Sequence, residues 1–198
     1  MSDKQKISIV ALPVLVVTMF AVYQMFASFL GRELAWYAGF WIYWLLWCIA
    51  FPALMLGWRS MSRLFGHGRL DAVTFLLMIL PPAITLIGRF VMTYDQADAW
   101  GRVILVSMAL ANGILEEVLW RGIYITLFPD DLRWGVVWPT LWFGLWHLAP
   151  GSVSQLNPWV LAAGALVSGA CLSVMAMRSG TIHWSVVSHT LAGLARVL

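Results

Sequence analysis

Apolar residues run along this chain in long blocks, separated by short polar or Pro/Gly-bearing stretches. A helix needs about 20 apolar residues to cross the hydrocarbon of a bilayer. The blocks therefore predict seven helices, over about 7–30, 34–57, 72–92, 100–128, 134–148, 158–177 and 181–198. An eighth, short helix has room in the 149–157 connection. Pro129-Asp130-Asp131 stops the fourth helix and Pro150-Gly151 ends the fifth, while Pro158 suits a first turn. Pro81-Pro82 predicts a kink in the third. The stretch carrying Arg59, Arg63, His67, Arg69 and Asp71 reads as a polar loop, as does 93–99 with Asp95 and Asp98. Arg178-Ser179-Gly180 reads as a tight turn. The first block is too long for a signal-peptide core, and no small-residue cleavage site follows it, so a retained span is expected. The expected fold is all-α, a polytopic transmembrane helix bundle forming one membrane domain over 1–198.

Composition agrees with the pattern. Of 198 residues, 62% are hydrophobic and 11% charged, more apolar surface than a soluble domain of this length can hide. Thirteen tryptophans cluster near the ends of apolar blocks, where an indole can keep its polar edge among headgroups. A net charge of +3 and no basic run beyond the Arg59–Arg69 loop argue against nucleic acid as a partner. Cys48 and Cys171, both in apolar blocks, show neither disulfide nor zinc spacing and read as packing residues. With the N-terminus inside, seven Lys/Arg fall on the inner side (Lys4, Lys6, Arg59, Arg63, Arg69, Arg133, Arg178) and four on the outer (Arg32, Arg89, Arg102, Arg196). The bias predicts an N-in orientation.

Of nine acidic residues, two lie within a predicted span: Glu116 and Glu117, in GILEEVLWRG. A carboxylate at that depth is expensive and normally faces a protein interior or a water-filled cavity. Glu117 and Arg121 are four apart and share a helix face, so they are expected to pair. Glu116 points about 100° away, which leaves it available. Asn112, one turn before Glu116, can hydrogen-bond it. FGLWH sets Phe143 one turn before His147, where the ring can fix the imidazole. SHTLAG puts His189 in the last helix, with Ser185 a turn before and Gly193 a turn after. His183 is expected at the interface and His67 in the exposed loop.

One glutamate and two histidines on three helices can hydrolyse an amide. A carboxylate and an imidazole deprotonate a water, and a second imidazole donates to the oxyanion. The same groups could instead ligate a divalent metal such as zinc. The HExxH zinc helix and the GxSxG nucleophile elbow are absent. A proton relay through Glu116 and His147 would need a polar through-path, which the first three helices barely supply.

At these residues the chain resembles the CAAX protease and bacteriocin-processing family of intramembrane proteases. EEVLWRG resembles its EExxxR motif and FGLWH its FxxxH motif. SGTIHWSVVSHTLAG resembles its third block, a histidine followed four residues later by asparagine. The resemblance covers 71–198, which it makes the catalytic core, with 1–70 as two accessory helices. It implies Glu116 and His147 as activators of the hydrolytic water, His189 as an oxyanion donor, and Glu117 and Arg121 as support. It allows a metalloprotease or a metal-independent, glutamate-dependent mechanism, acting on a membrane-anchored peptide or protein. It places the chain in the lipid bilayer, as a multi-pass protein of a bacterial cytoplasmic (inner) membrane. The family's asparagine position falls on Gly193, so either His189 acts alone or a donor such as Ser185 or Asn112 substitutes. The alternative is a catalytically impaired member serving as a membrane scaffold or immunity protein. The site is expected in a lipid-open cavity between the fourth, fifth and seventh helices.

Overall fold

A computed structural model describes residues 1–91 and 98–197, with side chains through Gly88 and again from Asp98. Its described residues form eight helices and no strand. These are α1 (Asp3–Leu30), α2 (Arg32–Leu56), α3 (Trp58–Arg63), α4 (Ala72–Val91), α5 (Ala99–Leu127), α6 (133–151), α7 (Pro158–Ser179) and α8 (His183–Ala195). The all-helical bundle is as expected, and the helix ends fall within a few residues of the apolar blocks. Two differences stand out. The basic stretch after Gly57 is partly helical, as α3, because Met61 turns into the core while Arg59 and Arg63 stay out. The expected short eighth helix is a single turn, Leu148–Gly151, closing α6 just past His147. Asp95 and the rest of 92–97 lie outside the described residues.

Several of the acidic residues away from the glutamate pair stand at helix starts. Ser2 and Gln5 form a capping box on α1, with Asp3 in its first turn. Asp98 accepts from Gly101 N–H at 2.7 Å and Asp71 from Thr74 N–H at 2.8 Å. Asp131 accepts from the amides of Arg133 and Trp134. Single glycines at φ +78° (Gly31) and +77° (Gly57) break α1 from α2 and α2 from α3. Any residue with a Cβ would be strained there. Three helices carry π-helical turns that the apolar pattern did not predict: Trp44–Ala50 in α2, Val118–Gly122 in α5 and Arg133–Val137 in α6.

Among the described residues, four helices are long and apolar enough to cross a membrane: α1, α2, α5 and α7. The bundle wears its apolar residues outward as well as inward. Phe29 is 81% exposed and Leu54 80%, as suits a lipid-facing surface. Inside, α8 packs against α5 and α4, α7 against α6, and α1 against α2. One end of the bundle is fixed by a set of crossings. Lys4 Nζ donates to the Met55 carbonyl at 2.6 Å, and Gln5 Nε2 to that of Leu127 at 2.8 Å. Ile182 N–H donates to Leu64 O at 2.9 Å, and Trp184 Nε1 to Gly68 O at 3.0 Å. The Arg178–Asp71 pair, at 2.9 Å, closes the same end. At the other end Arg32 donates to the carbonyls of Ser152, Val153 and Ser154.

Candidate active site

Glu116 and Glu117 sit at the end of the regular part of α5, directly before its π-helical turn, which contains Arg121. Such wide turns recur at functional sites because they redirect side chains within a helix. All three charged residues are buried, at 2%, 0% and 1% exposure. Arg121 Nη1 donates to Glu117 Oε1 at 2.8 Å. The rest of its guanidinium is engaged as well. Nη2 donates to Gly169 O at 3.2 Å and Nε to Ser173 Oγ at 3.3 Å, while the Phe143 ring lies 4.3 Å from Cζ. Thr140 in turn donates to Ser173 at 3.0 Å. The expected Glu117–Arg121 pair is present, and α6 and α7 anchor its cation.

His189 joins the two glutamates. Its Nδ1 lies 2.8 Å from Glu117 Oε1 and its Nε2 3.6 Å from Glu116 Oε2. A carboxylate oxygen only accepts, so Nδ1 carries a proton in that bond. Glu117 therefore orients His189 as well as pairing with Arg121, the logic by which a carboxylate fixes a catalytic imidazole. His147 closes α6. Its Nδ1 lies 2.8 Å from the Phe143 carbonyl, which fixes the tautomer and leaves Nε2 the lone pair in the neutral ring. The Phe143 ring stands edge-on to both imidazoles, 4.8 Å from His147 and 5.9 Å from His189. Glu116, Glu117, Arg121 and His189 are thus in direct contact, and Phe143 links His147 to them. Among the described residues no hydrogen bond or ion pair joins His147 to Glu116.

Two expectations are corrected. Asn112 does not reach Glu116: its Oδ1 accepts from Trp44 Nε1 at 2.8 Å, because α2 packs beside that turn of α5. Ser185, the other substitute donor considered, gives its proton to Ile182 O at 2.9 Å. Gly193 faces Ala109: a Cβ added there would stand 2.8 Å from the Ala109 Cβ. Gly113, one turn along α5 from Ala109, lies as tightly against Thr190. The glycine at 193 is therefore a packing device between α5 and α8, and an asparagine would not fit without spreading them.

Three residues around Glu116 were not singled out from the sequence. Trp146 Nε1 donates to Glu116 Oε1 at 3.2 Å. Tyr43 stacks on Trp146 at 3.9 Å and accepts from Trp120 Nε1 at 2.7 Å, which leaves its own proton free to face the carboxyl. Tyr23 packs on the same indole at 6.1 Å. Trp146 was the readable one, since it directly precedes His147. The tyrosines come from helices without a motif. Two surface hollows open at the ends of the bundle, one lined by Gln5, Phe128 and Trp134, the other by Arg32, Trp36 and Gln155. Neither lining includes Glu116, His147 or His189.

A zinc ion would need several donors converging on one point. Among the described residues no three His, Cys, Asp or Glu side chains are so grouped. Glu116, His147 and His189 do not form the metal set that the resemblance allows.

Residues 98–195 match the family described as type II CAAX prenyl endopeptidase, Rce1-like. No curated protein and no solved structure matches the chain. The matched stretch runs from the cap of α5 to the last residue of α8 and holds every candidate residue named from the sequence. A charge cluster found through the cost of burying it thus lies in an integral membrane protein whose residues 98–195 are similar to the Rce1-like type II CAAX prenyl endopeptidases.

Proposed function

We propose that this chain is an intramembrane endopeptidase that hydrolyses a peptide bond in a membrane-anchored protein or peptide, using a water activated by Glu116 and His147. The Glu116 carboxylate takes a proton from the water, whose oxygen attacks the amide carbonyl carbon. His147, with Nε2 unprotonated, assists as a second acceptor. His189 donates from Nε2 to the oxyanion; with a proton already on Nδ1, this requires the imidazolium. Two carboxylates flank that cation, and Arg121 balances the second of them. The group of Glu116, Glu117, Arg121 and His189 is then neutral overall, which lowers the cost of keeping it in a membrane interior. When the carbon–nitrogen bond breaks, the proton held by Glu116 passes to the leaving amine. In this reading Glu117 and Arg121 position His189, and Phe143 sets the two imidazoles.

The observation that carries the reading is the contact of buried Glu116 with His189, whose ring Glu117 holds in one orientation. The family name supports a prenylated, CAAX-terminated peptide as the first probe. The basic residues on α3 and the loop after it support the N-in orientation in a bacterial inner membrane. The test uses the full chain in detergent or liposomes with a quenched fluorescent peptide ending in a farnesylated CAAX box. Glu116→Ala and His147→Ala are each expected to abolish cleavage while the protein stays folded and inserted. Wild-type turnover in either variant would end the assignment.

A further inference from the structure

Tyr23, on α1, is fully buried, and its hydroxyl has no hydrogen-bond partner among the described residues. A buried hydroxyl left unpaired is destabilising, and phenylalanine would fill the same slot without that cost. The slot is shaped for the ring. Tyr23 lies on the bare backbone of Gly39, where a Cβ would collide with the phenol carbons. It stands edge-on to Phe40 at 6.2 Å and tilted against Trp146 at 6.1 Å. Trp146 is the residue that donates to Glu116, so the phenol and the carboxyl share one wall. Of the nearby polar groups, Asn112 is engaged with Trp44 and Ser185 with Ile182, while Tyr43 accepts from Trp120 and keeps a proton of its own. Tyr23 keeps both a proton and its lone pairs to offer.

A water inside a protein is held by about 2–4 polar partners. In the reading above, Glu116 and His147 supply two. We propose that the Tyr23 hydroxyl is a further protein ligand of the hydrolytic water, fixing its oxygen while Glu116 takes its proton. This rests on the hydrolase reading above. No covalent bond to Tyr23 forms or breaks; its hydrogen bond sets where the attacking lone pair points. The assignment gives α1, which lies outside the matched segment, a part in the reaction.

The test places Tyr23→Phe beside Glu116→Gln in the full chain, with the farnesylated CAAX peptide as probe. Phenylalanine keeps the contact with Gly39, so folding is retained. Tyr23→Phe is expected to lower kcat about 10²-fold, the cost of a misplaced reactant, with KM unchanged. A wild-type kcat in Tyr23→Phe overturns the assignment of Tyr23 alone. Wild-type turnover in Glu116→Gln overturns the hydrolase reading beneath it. A second arm needs no turnover: an experimental map that resolves waters. Density bridging Tyr23 Oη and the Glu116 carboxyl, lost in Tyr23→Phe, supports the assignment. A phenol hydroxyl surrounded only by apolar side chains overturns it, whatever peptide is cut.

Discussion

Arg121 touches α5, α6 and α7 through one guanidinium, with Glu117, the Phe143 ring, Ser173 and the Gly169 carbonyl around it. Removing one member of a buried ion pair leaves the other charge uncompensated, at a cost of about 3–5 kcal/mol. Arg121→Met is expected to lose that much in denaturant unfolding of the detergent-solubilised protein. Adding Glu117→Gln to it should restore part of the loss, since the stranded carboxylate is then gone. If the double variant is no more stable than Arg121→Met, the loss came from packing and not from charge. At this scale the sequence was informative where burial is costly. Two carboxylates and an arginine inside an apolar run announce themselves, and the histidines gain meaning beside them. A tyrosine in an apolar helix raises no such flag, because its ring belongs there and only its hydroxyl does not. Asn112 misled for a related reason: spacing along one helix says nothing of the indole that a neighbouring helix brings.

The α5–α8 interface rests on close approach at two points, Ala109 against Gly193 and Gly113 against Thr190. Small residues four apart let helix backbones meet in a membrane, where van der Waals packing drives association. Gly113→Ala is expected to cost about 1–3 kcal/mol by overpacking, read as a lower unfolding midpoint. Gly193→Asn should restore no catalysis, since its side chain meets α5 before it can face a substrate; a gain in cleavage would refute the packing account. Helix ends were legible because Pro, Gly and Asp mark them chemically. The π-helical turns were not, since an added residue in a turn leaves the apolar pattern almost unchanged. The short α3 hid behind its arginines, which a loop would also carry; a single apolar residue turned inward, Met61, decided between them.

Across the whole molecule, the crossings at one end join residues far apart in sequence. Asp71 is the titratable part of that join. The Thr74 amide, first, and then the Arg178 guanidinium hold its carboxyl below the ordinary 3.8, at about 2. A lowered carboxyl stabilises the fold above its ordinary value, and that contribution is lost as pH falls through about 2. Wild type is therefore expected to unfold at a higher temperature than Asp71→Ala above about pH 4, with the gap closing toward pH 2. Both partners are partly in solvent, so salt should narrow the gap as well. An unchanged gap across that range would show that the pair does not contribute. The carbonyls of Leu64 and Gly68 are acceptors for the first turn of the last helix, through the Ile182 amide and the Trp184 indole. Kinship with the endopeptidases begins at residue 98, but these two bonds reach back across that line. A fragment cut there would inherit the glutamates and histidines yet strand two donors where α8 begins. What is shared with relatives and what stands up by itself are, in this chain, pieces of different length.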